Sequence, residues 1–220
     1  MRTVALLPIN ALAVAKSRLT GALDAEERRA LVLWMAERAL SAIRDSGAAT
    51  RIAVVSPDPV ALAWARAEGV AGVYQPDGDL NAGLELGRAW AREDGADALL
   101  TLFGDLPLLR AEEVAALVAP VAESPAASVV ALAPDRARRG TNGLVMRPVD
   151  ALPFLFGDES LARYTRAARA NGVEAHIVTR PGTSFDVDTP EHLRELSERG
   201  LWTPRSRDAR VSLARRTSCE

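Results

Sequence analysis

Cysteine is almost missing: the single one, Cys219, is the second-last of 220 residues. One thiol cannot form a disulfide within a chain, and a cysteine-rich zinc site is excluded with it. A cytoplasmic location fits this poverty of thiols. Lysine is equally scarce, since of 27 basic residues all but Lys16 are arginine. Aromatics make up only 5%, which argues against stacking platforms for single-stranded nucleic acid. The formal net charge of −2 provides no global basic field, so nucleic acid is not an expected partner. No run approaches the ~20 apolar residues of a membrane span, and no membrane partner is expected. Residues 1–8 carry one charge and a short apolar stretch, which reads as a first strand rather than a signal peptide.

What is present suits a soluble α/β domain. The chain is 48% hydrophobic and 25% charged, enough to bury a core. Its length predicts one domain over residues 1–204, followed by a flexible Arg-rich tail over 205–220. Residues 3–7 read as a buried strand ended by Pro8, and the loop after it, through Gly21, holds Lys16 and Arg18. Asp24 and Glu27 have capping-box spacing, and Leu31, Trp34, Met35, Ala39 and Ile43 recur at helical spacing before Gly47. A strand over 51–55, a helix opened by Ser56-Pro57-Asp58, a short strand at Val73-Tyr74 and a turn over 76–79 follow. Asn81 then falls in the first turn of a helix. The apolar strand over 96–103 breaks at Gly104-Asp105-Leu106-Pro107. Beyond it come a helix over 111–118, strands over 128–132 and 143–146, a helix over 160–170, a strand over 174–178 and a final helix from Thr189-Pro190. Strands alternating with helices imply a mostly parallel sheet. Such sheets bind ligands beyond the carboxyl ends of their strands, where Gly104-Asp105 and the loop after Leu7 lie.

Asp105 sits at that edge, and Asp186 and Asp188 flank Val187 in an extended segment that points both carboxylates one way. Clustered oxygen ligands suit magnesium, which takes one or two carboxylates plus substrate phosphates. The same two aspartates also suit capping of the helix at Thr189-Pro190. Lys16 and Arg18 offer a point charge and a bidentate fork for phosphoryl groups, or are two solvated loop cations. Thr141-Asn142-Gly143 and Gly157-Asp158-Glu159-Ser160 are candidate anion cradles, with Ser160 at a helix N-terminus, a position that helix capping explains equally. His176 and His192 have no metal-like companion and read as structural or surface residues. Trp34, Trp64 and Trp90 read as core. Neither GxxxxGK[ST] nor GxGxxG occurs.

Several segments, in order over residues 1–200, resemble the 2-phospho-L-lactate and phosphoenolpyruvate guanylyltransferase family of coenzyme F(420) biosynthesis. They are Lys16-Ser17-Arg18-Leu19, Leu80-Asn81-Ala82, Gly104-Asp105-Leu106-Pro107, Gly140-Thr141-Asn142, Phe156-Gly157-x-x-Ser160 and Phe185-Asp186-Val187-Asp188-Thr189-Pro190. The resemblance implies a Rossmann-like, three-layer nucleotidyltransferase fold of the nucleotide-diphospho-sugar transferase type. It implies transfer of GMP from GTP to phosphoenolpyruvate, giving enolpyruvoyl-2-diphospho-5'-guanosine and pyrophosphate, with 2-phospho-L-lactate as the alternative acceptor. Asp105, Asp186 and Asp188 would hold Mg2+, and Lys16 and Arg18 the triphosphate, with Lys16 and Asp105 catalytic. The Asn81 region would meet the nucleoside, and Thr141, Gly157 and Ser160 the acceptor. The chain departs from the family at Tyr164, where histidine is frequent, and at Gly143, where alanine is common; both bear on the acceptor pocket. A sugar-phosphate or molybdopterin nucleotidyltransferase would bring a glycine-rich loop after the first strand, which residues 8–12 lack. A non-catalytic nucleotide-binding domain is the reading from another class. A homodimer is the default for any oligomer.

Overall fold

Thr3–Pro8 (β1) is buried along nearly its whole length, as a strand covered on both faces must be. The computed structural model of the chain describes residues 1–76 and 79–203, so the expected tail over 205–220 lies outside the described residues. Beside β1 stand Arg51–Ser56 (β2), Ala71–Tyr74 (β3), Ala98–Leu102 (β4), Val129–Pro134 (β5), Thr141–Arg147 (β6) and Glu174–Ile177 (β7). The seven-stranded order is β3-β2-β1-β4-β6-β5-β7. Every pairing is parallel except those of β6, which runs antiparallel to both β4 and β5. The start of β6 therefore lies at the carboxyl edge of β4, which brings Thr141 and Asn142 to the end that carries Gly104-Asp105.

The helices are Ala25–Asp45 (α1), Pro59–Ala67 (α2), Leu80–Glu93 (α3), Ala111–Glu123 (α4), Ser160–Ala170 (α5), Pro181–Ser184 (α6) and Pro190–Glu198 (α7). Alternation along the strands sorts them into two layers. Ala5 and Leu7 of β1 pack with Ala36 and Leu40 of α1 and Leu117 of α4. Val4 and Leu6 face Leu84 of α3 and Leu161 and Tyr164 of α5. Each fully buried leucine contributes roughly 1.5–3 kcal/mol. Helix α3 lies so close that a Cβ on Gly87 would come 2.7 Å from Leu6 Cδ1.

A third, smaller cluster matters most for function. Leu19 and Leu23 from the loop after β1, Leu31 and Met35 of α1, Phe185 and Val187, and Leu193 and Leu196 of α7 are buried together. It joins the lysine-bearing loop to the segment bearing Asp186 and Asp188.

The three tryptophans read as core are half-buried, at the rims of the clusters. Arg38 covers the Trp34 ring and Arg51 the Trp90 ring, so their faces are partly finished by arginine stems. Helix α6, four residues long, is not visible to periodicity.

Candidate active site

The loop after β1 is held from below. Asp58 caps α2 through the Val60 N–H and with its other oxygen accepts the Leu12 N–H at 2.8 Å. The loop then turns at Lys16, which takes a left-handed backbone (φ 54, ψ 38) at the start of a 3-10 turn, Ser17–Leu19. That conformation costs a non-glycine residue about 1–2 kcal/mol. It aims the side chain inward: Lys16 Nζ lies 2.7 Å from Asp105 Oδ2 and 2.6 Å from Asp188 Oδ1, although Asp188 is 172 positions away in sequence. Burial weakens the proton's hold on Lys16, but the two carboxylates outweigh it and keep the ammonium charged well above the usual lysine range.

The segment over 181–188 is fixed by five bonds to residues outside it. The buried Glu113 carboxylate accepts the Gly182 N–H at 2.8 Å. Asn142 donates its amide hydrogens to Thr183 O at 3.1 Å and Asp186 Oδ1 at 3.3 Å. The Val187 N–H reaches Asp105 O at 3.3 Å, and the Asp188 N–H reaches His192 Nδ1 at 3.3 Å. Val187 itself is fully buried, so its neighbours are turned away from the core. The cap of α7 is Thr189, whose side chain accepts from the His192 N–H. Neither aspartate caps that helix, which removes the capping alternative. Burial, then the nearby charges of Asp105 and Asp188, raise the Asp186 carboxyl above the usual carboxylate range. Burial acts the same way on Asp188, but Lys16 overrides it and the group is held low.

A cavity of about 400 Å³ opens over these groups. Lys16, Arg18, Gly104, Asp105 and Asp188 supply its polar wall, and Ile9, Val14, Val32, Ala36 and Phe103 its apolar one. Thr141, Gly157 and Ser160 do not line this cavity but gather beside it. The Leu161 N–H of α5 donates to Arg139 O at 3.0 Å, tying the helix start to the strand that begins at Thr141. Thr141 Oγ1 is buried without a hydrogen-bond partner among the described residues, and Ser160 is 1% exposed. The cap position of α5 belongs to Glu159, with no side-chain cap bond, so Ser160 is not a capping serine. Asp186 stands between the two groups through Asn142. Asn81 belongs to neither: its amide exchanges two hydrogen bonds with the backbone of Phe156.

The two departures noted in the sequence have structural reasons. Tyr164 is fully buried, and its hydroxyl accepts the Leu155 N–H at 2.8 Å. A Cβ on Gly143 would lie 2.9 Å from both Leu102 Cδ2 and Leu117 Cδ2. Gly143 therefore serves packing against two large leucines. Asn142, Glu113 and His192 position the segment over 181–188, His192 in the structural role expected of it. Asn142 was readable as part of a motif, whereas Glu113 shows nothing in sequence beyond helix-start chemistry.

Among the described residues no three His, Cys, Asp or Glu side chains form a ready-made metal cage. The donor set nonetheless suits a divalent cation. Asp105 Oδ2 and Asp188 Oδ1 already converge on one cation, the Lys16 ammonium, and Asp105 Oδ1 is buried with no partner.

An open α/β sheet with cations and clustered carboxylates at its carboxyl edge suits a nucleotidyltransferase, the class to which the comparisons with known proteins assign the chain. Comparison with solved structures agrees on the fold. A Desulfovibrio desulfuricans protein described as a nucleotide-diphospho-sugar transferase superposes with a TM-score of 0.71 at 15% identity, covering 91% of this chain and 99% of its own. The family model "Guanylyl transferase CofC like" matches residues 3–205, and the chain belongs to that family. It is 45% identical over 200 residues to a phosphoenolpyruvate guanylyltransferase from Rubrobacter xylanophilus, covering 91% of this chain and 96% of the relative. A Sphaerobacter thermophilus relative of the same name is 42% identical over 197 residues, covering 90% and 93%. No helix among the described residues is long and apolar enough to cross a membrane.

Proposed function

We propose that this chain transfers GMP from GTP to phosphoenolpyruvate, forming enolpyruvoyl-2-diphospho-5'-guanosine and pyrophosphate in coenzyme F(420) biosynthesis. The observation that carries the reading is the Lys16 ammonium locked between Asp105 and Asp188 in the wall of the cavity at the carboxyl edge of the sheet. A phosphate oxygen of the acceptor attacks the α-phosphorus of GTP. The new P–O bond forms as the bond to the pyrophosphate oxygen breaks. Both partners are anions, so orientation and charge neutralisation supply most of the rate. The acceptor phosphate is ionised near neutral pH, and no general base is required. This accounts for a site in which His192, among the described residues, bonds backbone and no substrate-facing side chain.

Lys16 and Arg18 take the triphosphate, and Lys16 meets the charge that grows on the departing pyrophosphate. The apolar wall of Ile9, Val32, Ala36 and Phe103 is the place for the nucleoside. Thr141, Gly157 and Ser160 hold the acceptor through hydroxyls and helix-terminal N–H groups. Asp105, Asp186 and Asp188 would hold Mg2+, whose charge neutralises phosphate oxygens when bound. The experiment is a pyrophosphate-release assay crossing GTP, ATP and CTP with phosphoenolpyruvate and 2-phospho-L-lactate. GTP with phosphoenolpyruvate should give the highest kcat/KM. Higher kcat/KM with 2-phospho-L-lactate would transfer the assignment to that acceptor. Release from no pair at saturating magnesium would leave a nucleotide-binding domain without catalysis.

A further inference from the structure

We infer that Asn81 is a positioning residue for the acceptor loop, acting through the backbone of Phe156. The inference rests on the reading of Gly157 and Ser160 as acceptor contacts. Residues 153–157 run between β6 and α5 without helix or strand, yet Phe154 and Phe156 are buried. Buried irregular backbone must find side-chain partners for its polar groups. The loop finds them on two helices. Arg88 of α3 donates to Leu152 O at 2.9 Å, and Tyr164 of α5 accepts the Leu155 N–H at 2.8 Å. Asn81 of α3 does both jobs at Phe156: Oδ1 accepts its N–H at 2.9 Å, and Nδ2 donates to its carbonyl at 3.1 Å. The amide acts as a one-residue piece of sheet edge, and that geometry fixes the peptide planes on both sides of Phe156.

The next residue is Gly157, with φ 118, a conformation that side-chain-bearing residues rarely adopt. The chain therefore swings sharply just after the point Asn81 grips, and a small rotation at Phe156 becomes a displacement at Gly157 and Ser160. The Phe156 ring is wedged against Phe103, centroids 5.1 Å apart, and edge-on to Tyr164 at 5.4 Å. Phe103 and Leu80, the residue before Asn81, both line the cavity. Asn81 thus sets the distance between the acceptor loop and the nucleotide wall, with its amide engaged on the Phe156 backbone.

The test compares Asn81→Ala, Asn81→Asp, Tyr164→Phe and Ser160→Ala by steady-state kinetics and by direct GTP titration. Losing both bonds in Asn81→Ala should raise the phosphoenolpyruvate KM about tenfold or more, with GTP affinity kept within about twofold. Asn81→Asp retains the acceptor for the Phe156 N–H but sets a carboxylate oxygen against its carbonyl, so it should shift KM in the same direction. Tyr164→Phe, which releases only the Leu155 N–H, should shift it less. If Ser160→Ala weakens phosphoenolpyruvate while the Asn81 variants leave its KM unchanged, or weaken GTP equally, the positioning role is refuted. If Ser160→Ala has no effect on phosphoenolpyruvate, the acceptor assignment fails and the inference falls with it. Should Asn81→Ala not fold by circular dichroism, Asn81→Asp and Tyr164→Phe decide by the same criterion.

Discussion

Replacing Lys16 by methionine keeps most of the side chain's length and removes its charge, which makes it a sharp probe of the site. At 2.7 Å a unit ion pair at an effective dielectric near 20 gains roughly 6 kcal/mol before desolvation. Desolvation takes back much of that gain. Because Asp188 is 41% exposed, the low end of the cost of breaking a buried pair applies, about 3 kcal/mol. The ammonium is held above its ordinary 10.5, so this contribution is complete at neutral pH and disappears only as pH rises through the raised value. Without metal, Lys16→Met should therefore unfold roughly 6–12 °C below the parent. Magnesium should restore part of that loss, about 2.7 kcal/mol at a hundredfold excess over its Kd. The carboxylates no longer have a resident cation, so Mn2+ titrated without nucleotide should bind about tenfold more tightly, a gain of about 1.4 kcal/mol. Turnover should fall sharply in the same variant, because the triphosphate has lost its point charge. Weak turnover together with tighter metal is the signature. A variant with parental melting in EDTA and unchanged Mn2+ affinity would refute the claim that Lys16 occupies the cation position.

Three further outcomes follow from the geometry. Asp105→Asn should fold yet lose turnover by about two orders of magnitude or more, the several kcal/mol expected of a missing metal ligand; a folded variant with near-parental rate removes Asp105 from the site. Gly143→Ala should destabilise by about 1–3 kcal/mol in urea through overpacking against Leu102 and Leu117, with acceptor KM unchanged, whereas a raised KM without destabilisation would return Gly143 to the acceptor pocket. Bonds from Arg136 and Arg199 lower Glu195 from the ordinary 4.5 to about 2. Its contribution should be whole above pH 4.5 and fade towards pH 2, so urea midpoints of the parent and Glu195→Gln should converge across that window, and parallel curves would deny it.

Periodicity and capping chemistry suffice for elements whose signals are local. The Asp24–Glu27 box, with both reciprocal bonds present, opens Ala25–Asp45 as the spacing predicts. Ser160–Ala170 begins and ends where its amphipathic pattern does. The antiparallel direction of β6 is not local, because nothing in Thr141–Arg147 records which way its neighbours run. The site shows the same division. Lys16, Arg18, Asp105 and Asp188 are candidates from residue type and place at the sheet edge, and the fold brings them to one cavity. For Asp186 and Asp188 spacing leaves helix capping open, and the decision lies one residue on, where Thr189 provides the cap before Pro190. Asn81 is conspicuous in sequence for the right motif, but its partner is a backbone 75 positions away that no spacing rule reaches.

Charge of one sign crowded at a sheet edge opposes folding, and the third hydrophobic cluster is what offsets it here. Asp105, Asp186 and Asp188 repel one another, and that repulsion adds to burial in raising the Asp186 carboxyl. Against that stand Leu19, Leu31, Met35, Val187 and Leu196, all fully buried where the lysine loop, α1 and α7 meet. Each contributes roughly 1.5–3 kcal/mol, which works against the repulsion of the three partly solvated carboxylates. Val187 connects the two effects: its burial anchors the segment and turns Asp186 toward Asn142 and Asp188 toward Lys16. The apolar residue between the two aspartates thus positions both carboxylates. The site can keep a charge arrangement unfavourable by itself because its three chain segments are tied together one layer below.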